Sequence, residues 1–201
     1  MTPSAPMALG ELLAGVAAVP TDWRGWPVTG LAADSRAVRP GEVFFALRGE
    51  NRHGLAFLEA VGRSGAVAVI WEPPYEGPMP ANASGLPLIA VPELRRELGP
   101  MIARFYGDPS RRLRVVGITG TDGKTSCAHF VAQALSDPDA GPCGILGTLG
   151  IGVYGRTEPS PHTTPDPLAV QRWLAGLVAA GRRHAAMEVS SHALDQGRVN
   201  G

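Results

Sequence analysis

Residues 117–126 read GITGTDGKTS, a stretch that combines glycines, a lysine and hydroxyl side chains. That combination suits the gripping of phosphate oxygens. Gly120 and Gly123 permit positive φ and a close approach of the phosphates. A turn between a buried strand and a helix N-terminus aims successive backbone N–H groups, and the positive end of the helix dipole, at one spot. Lys124 adds a full charge there, and the Thr125 hydroxyl is placed to reach a phosphate-bound Mg²⁺. A plain strand-to-helix turn would explain the glycines but not the lysine. Lysine and arginine together number 18, and Lys124 is the only lysine among them. A compact ammonium can wrap around phosphate oxygens in a tight loop where a planar guanidinium cannot. The general formula for such loops wants a glycine five positions before the Gly-Lys pair, and position 118 holds isoleucine instead.

Such a loop needs a strand before it and a helix after it, and the neighbouring sequence supplies both. LRVVGI (113–118) is apolar and β-branched, which predicts a strand buried on both faces. After the loop, Phe130, Val131, Ala134 and Leu135 recur at helical spacing. CGILGTL (143–149) predicts the next strand, and the crossover predicts parallel pairing. Asp166 and Pro167 form an N-cap and first-turn pair for a helix through LAVQRWLAGLVAA that ends at Gly181. HAAMEVSS (184–191) predicts a third strand. Three strands leave a sheet with an open edge.

The N-terminal half has its own pattern. EVFFAL (42–47), AVAVIW (66–71) and PLIAV (87–91) predict strands, and Phe57, Leu58 and Val61 mark one face of a helix between the first two. Residues 72–86 are a Pro/Gly-rich loop. A helix from about Pro92 should bury Leu94, Leu98, Met101, Ile102 and Phe105, with a kink or restart at Pro100. The expected fold class is α/β: a small N-terminal α/β substrate-binding domain, 1–110, followed by an incomplete parallel-sheet nucleotide-binding domain, 111–201.

Composition bounds the partners. Acidic residues also number 18, so the formal charge is zero and no global field favours nucleic acid or an anionic membrane. The N-terminus lacks a basic leader, and its apolar stretch is broken by Glu11 and Pro20. A cytoplasmic protein with neither nucleic-acid nor membrane partner is expected. Cys127 and Cys143 have no metal-ligand spacing and read as small core residues.

GITGTDGKTS resembles the Mur ligase family's own, shorter version of the phosphate-binding loop. LAADSRAVRPGEVFFALRGENRHG, HTTPDPLAVQ and AMEVSSHALDQGRV look like successive signatures of the MurE type of that family, and the resemblance runs from about residue 31 to the end. It implies an ATP-dependent ligase of peptidoglycan precursor synthesis, which adds an amino acid to UDP-N-acetylmuramoyl-alanyl-glutamate through an acyl phosphate. The cofactors implied are ATP and Mg²⁺, and the complete enzyme is expected to be monomeric.

By that resemblance Gly120, Thr121, Asp122, Gly123, Lys124, Thr125 and Ser126 take the ATP phosphates, with Lys124 and Glu188 as the catalytic pair. Thr125 and Glu188 serve the metal. Ala33, Ser35, Glu50, Asn51 and Arg52 fall where the UDP end is held. His162, Thr163, Thr164, Ser190, Gln196 and Arg198 match positions that contact the UDP-sugar and its peptide. A carboxylate at 188 also suits the residues by themselves, since strand ends beside a phosphate loop face the ligand in open parallel sheets.

The chain departs from the family in three places. Asp122 replaces the usual asparagine and His162 stands where some members have asparagine. The carbamylated lysine, the purine contacts and the domain that selects the amino acid lie further along in the family. The expectation is therefore the N-terminal part of a ligase, inactive alone. His192 could serve a metal or substrate, or could cap a strand end. The alternatives to a muramyl ligase are a non-catalytic module holding UDP-muramyl peptide and nucleotide, another ligase of the superfamily such as folylpolyglutamate or cyanophycin synthetase, and a small-molecule kinase.

Overall fold

The computed structural model describes residues 5–49, 52–82 and 85–201 and divides into two compact α/β units, Thr2–Met101 and Ile102–Gly201.

The first unit opens with β1 (Met7–Ala8), α1 (Leu9–Leu12), α2 (Thr21–Arg24) and β2 (Pro27–Val28), where β1 and β2 form a small antiparallel pair. Its main sheet contains β3 (Gly30–Ala32), β4 (Glu42–Ala46), β5 (Ala68–Trp71) and β6 (Leu88–Ala90), in that order and parallel throughout. A 3₁₀ turn at Gly54–Phe57 leads into α3 (Leu58–Arg63) as the crossover between β4 and β5. Leu55, Leu58 and Val61 are buried there, whereas Phe57 is 38% exposed. The tighter 3₁₀ turn rotates Phe57 off the face that a continuous helix would have given it. The last helix of this unit, α4 (Leu94–Phe105), runs on into the second; its expected residues Leu94, Leu98, Met101, Ile102 and Phe105 are all buried, and it continues through Pro100 without a restart.

The second unit contains β7 (Arg114–Ile118), α5 (Lys124–Ala134), β8 (Gly144–Gly147), β9 (Gly150–Val153), β10 (Arg156–Glu158), α6 (Pro167–Ala179), β11 (His184–Glu188) and α7 (Ser191–Asp195). The sheet order is β10-β9-β8-β11-β7. β8, β11 and β7 run parallel, while β9 and β10 add an antiparallel hairpin that the sequence pattern did not indicate. Asp166 caps α6 by accepting a hydrogen bond from the Ala169 N–H at 3.0 Å, and Pro167 follows at the first position, as the sequence predicts.

Three expectations fail here. Among the described residues β7 pairs with β11 alone, and its residues are exposed or half-buried rather than covered on both faces. Its apolar composition gives it the capacity for burial, but burying a strand needs elements packed over both of its faces, and the described residues leave it largely uncovered. On α5 the buried positions are Ala128 and Ala132, four apart, and Phe130 is 69% exposed. Small side chains let the helix lie close over Cys143, Ile145 and Ala186, and Val131 and Leu135 pack at the margin of that cluster. Cys127 is exposed, unlike buried Cys143, because it points away from this contact in the first turn.

Candidate functional site

Parallel pairing brings three strand ends to one edge of the second sheet. Glu188 pairs with Ile118 and Met187 with Leu146, so β7, β11 and β8 finish side by side. The residues just beyond the three strands therefore face the same space: the loop 119–123, the segment from Val189, and Thr148. Ligands gather outside such carboxyl ends in open α/β sheets.

The loop has the conformation its glycines were expected to allow. Gly120 has φ +144° and Gly123 φ +76°, both in the region that favours glycine. Gly123 is the N-cap of α5 and supplies no side-chain cap, so no side-chain oxygen of the cap occupies the helix N-terminus and its first-turn N–H groups could receive an anion. Lys124 donates from Nζ to the carbonyls of Gly120 at 2.6 Å and Thr121 at 3.0 Å, which folds its ammonium over the loop. Thr121, Asp122 and Ser126 lie exposed on the same loop and helix start.

Glu188 is the centre of the arrangement. It is 1% exposed, yet none of the ion pairs among the described residues includes it. Three neutral donors hold its carboxylate. The Thr125 hydroxyl donates to Oε2 at 3.0 Å, the Thr148 N–H donates to Oε1 at 2.8 Å, and the Thr148 hydroxyl donates to Oε2 at 3.3 Å. A Cβ on Gly147 would stand 2.1 Å from Oε1, so the carboxylate occupies space that only glycine leaves open. A buried carboxylate without a cationic partner is expensive, and a divalent cation could supply the missing charge. The donors at hand are oxygens, as Mg²⁺ requires, and no group of three or more His, Cys, Asp or Glu side chains able to hold a metal occurs among the described residues.

The candidates for substrate contact sit around this carboxylate. Thr163 Oγ1 lies 3.1 Å from Thr148 Oγ1. Thr164 is buried, donates from Oγ1 to the Glu188 carbonyl at 2.8 Å and accepts from the Ser190 N–H at 3.1 Å. Arg198 donates from Nη1 to the Thr164 carbonyl at 2.8 Å, and from Nε and Nη2 to Gln196 Oε1 at 2.9 and 2.7 Å. His162 is exposed beside them, its carbonyl accepting from the Ser160 hydroxyl at 2.8 Å. Ser190 caps α7 through the Ala193 N–H at 3.2 Å, and His192 lies exposed within that helix. The sequence motifs do not single out Thr148 and Gly147. The Gly-Thr pair closing a strand beside a phosphate loop is the signal that could have marked them.

In the first unit Ala33 and Ser35 follow the end of β3, and Arg52 follows β4, so parallel pairing again gathers them at one edge. Glu50 and Asn51 lie outside the described residues. Asp34 shapes the β3 loop by accepting from the Arg36 N–H at 2.9 Å, its Nε at 3.0 Å and its Nη2 at 2.7 Å. The Arg36 guanidinium and backbone N–H hold the Asp34 carboxyl down to about 2. A cavity of about 480 Å³ opens nearby, lined by Arg48, Arg52, His53 and Tyr75 among others.

Comparison with known proteins gives a consistent picture. Residues 118–201 match the Mur ligase middle domain, and residues 27–106 match the model described as Mur ligase family, catalytic domain. The UDP-N-acetylmuramoyl-L-alanyl-D-glutamate--2,6-diaminopimelate ligase of Alkalilimnicola ehrlichii is 55% identical over 187 residues, 90% of this chain and 37% of the relative. The ligase of the same name from Pseudomonas aeruginosa is 50% identical over 194 residues, 96% of this chain and 38% of the relative. A solved structure of a ligase with that name superposes with a TM-score of 0.80 at 30% identity, covering 98% of this chain and 38% of the other. The D-alanyl-D-alanyl-adding ligase of Acinetobacter baumannii shares the fold, with a TM-score of 0.58 at 21% identity over 92% of this chain and 36% of its own. The chain thus spans under two-fifths of the length of these relatives.

Proposed function

The chain belongs to the Mur ligase family, its two matched domains together spanning most of residues 27–201, and from that premise we propose that it serves ATP-dependent ligation of an amino acid to UDP-N-acetylmuramoyl-L-alanyl-D-glutamate. The amino acid for which its relatives are named is 2,6-diaminopimelate. The observation that carries this reading is the buried Glu188 carboxylate, set beside a glycine-lysine-threonine loop and held by neutral donors alone.

In this reading loop 120–126 binds the ATP phosphates through backbone N–H groups and Lys124, whose ammonium swings from the loop carbonyls onto phosphate oxygen. Thr125 and Glu188 would hold Mg²⁺, which when bound supplies positive charge against the transferring phosphoryl group. The acceptor carboxylate attacks the γ-phosphorus, ADP leaves, and the amine of the amino acid then displaces inorganic phosphate from the acyl phosphate. Lys124 neutralises charge as the phosphoryl group moves, and donors preorganised in a fixed loop need no rearrangement at that moment. Thr163, Ser190 and Arg198 lie on the acceptor side of Glu188 and orient the muramyl peptide. Ala33, Ser35 and Arg52, with Glu50 and Asn51, hold its UDP end.

Calorimetry on the 201-residue chain tests the proposal, with UDP-N-acetylmuramoyl-dipeptide and a non-hydrolysable ATP analogue titrated separately in Mg²⁺. Binding of both is expected. Failure to bind either would overturn the reading, and binding of nucleotide alone would favour a phosphoryl-transfer enzyme of another kind.

A further inference from the structure

We propose that Thr148 is a positioning residue that couples the metal-binding carboxylate to the acceptor-binding segment by reversing a chain of hydroxyl hydrogen bonds. The inference rests on the roles given above to Glu188 and Thr163. Thr148 is the first residue beyond β8 and reaches both partners at once, with Glu188 Oε2 at 3.3 Å and Thr163 Oγ1 at 3.1 Å from its hydroxyl oxygen. Its backbone N–H is separately committed to Glu188 Oε1 at 2.8 Å, which fixes the residue whatever its hydroxyl does.

A threonine hydroxyl carries one proton and two lone pairs. While Glu188 is a bare carboxylate, the Thr148 proton is drawn to Oε2. The Thr163 proton must then point to Thr148, and Thr163 can offer an incoming ligand only lone pairs. A cation on the Glu188 carboxylate competes for the same oxygen lone pairs and removes the pull on that proton. Thr148 can then donate to Thr163, and Thr163 is free to donate its own proton to an anionic oxygen of the acceptor. Occupation of the metal site thus changes Thr163 from an acceptor into a donor. Both ligands of the site are anionic, so the donor state favours binding and the acceptor state opposes it. The coupling is reciprocal: acceptor binding tightens metal-nucleotide binding by the same factor.

The test measures affinity of the full chain for UDP-N-acetylmuramoyl-dipeptide by calorimetry, with and without Mg²⁺ and a non-hydrolysable ATP analogue. The wild-type protein should bind the dipeptide about 5- to 10-fold tighter in their presence, within the usual span of coupling between sites. Thr148→Val keeps the N–H anchor and the side-chain shape but lacks the hydroxyl, and its ratio of affinities should fall close to one. Thr148→Ser should restore the ratio, and Thr163→Val should abolish it by removing the other half of the relay. A ratio in Thr148→Val equal to that of wild type, or no coupling in wild type, would overturn the inference while leaving the proposed function standing. A wild-type chain that binds neither ligand would overturn both.

Discussion

The Thr125 hydroxyl donates to Glu188 Oε2 at 3.0 Å, joining the first turn of α5 to the end of β11 across 63 residues of sequence. The two residues meet because β7 and β11 are paired in parallel, with Ile118 opposite Glu188. The loop that starts after Ile118 therefore has to pass the carboxylate before it can enter the helix.

Glu188→Gln keeps the side chain's size but removes its charge. The new amide would also have to turn an NH₂ toward the donors Thr125 or Thr148. The Mg²⁺-dependent part of nucleotide affinity should fall about 10- to 100-fold, the range seen when groups supporting a metal are removed. Titration in EDTA should show little difference from wild type.

Lys124→Ala should weaken ATP binding by about tenfold or more, the equivalent of one hydrogen bond to a charged group at about 1.5–3 kcal/mol. Lys124→Arg should not restore it, since a planar guanidinium cannot take the ammonium's place among the loop oxygens. Fluorescence titration with a labelled ATP analogue would read both. Near-normal affinity in Lys124→Ala would remove the loop from the mechanism.

Gly147→Ala places a Cβ 2.1 Å from Glu188 Oε1 and 2.7 Å from its Cδ. The carboxylate must move, and overpacking of this kind costs about 1–3 kcal/mol. Urea unfolding should show a lower midpoint, accompanied by loss of the Mg²⁺ effect on nucleotide binding. An unchanged midpoint would mean that Glu188 has room to retreat.

Asp34 should titrate near 2 rather than at its ordinary 3.8, because the Arg36 side chain first, and the Arg36 backbone N–H second, favour its charged form. A depressed carboxylate contributes stability that is complete above the unfolded value and is lost as pH falls through the folded one. The relevant window is pH 3.8 down to about 2. The pair is solvent-exposed, so its effect on global stability is small. NMR titration of the carboxyl carbon would follow it, and Arg36→Ala should move the midpoint upward.

The two thiols should differ in reactivity. Cys143 is 2% exposed and burial pushes its thiol pKa up, while Cys127 is exposed. A disulfide reagent at about pH 8 should modify one thiol in the folded protein and both after unfolding. Cys127→Ala should abolish the native reaction.

Much of this was legible in the chain itself. The glycines at 120 and 123, the lone lysine and Thr125 announce a phosphate loop because backbone conformation and charge there are local properties. Asp166 and Pro167 announce α6 for the same reason, since a cap acts within one turn. The hairpin β9–β10 was not legible: its short strands carry too little alternating pattern to register.

By itself the sequence determined the loop, its single ammonium, the helix starts and a carboxylate at 188. The tertiary structure alone decided that Thr148 holds that carboxylate from 40 residues away, that Gly147 makes room for it, and that Thr163 is in reach of the same hydroxyl. It also decided that, among the described residues, the apolar strand β7 pairs with β11 alone. The reason is common to all four. Capping, turn conformation and charge depend on residues within a few positions. Burial and side-chain pairing depend on strand order and register, which the whole chain sets together.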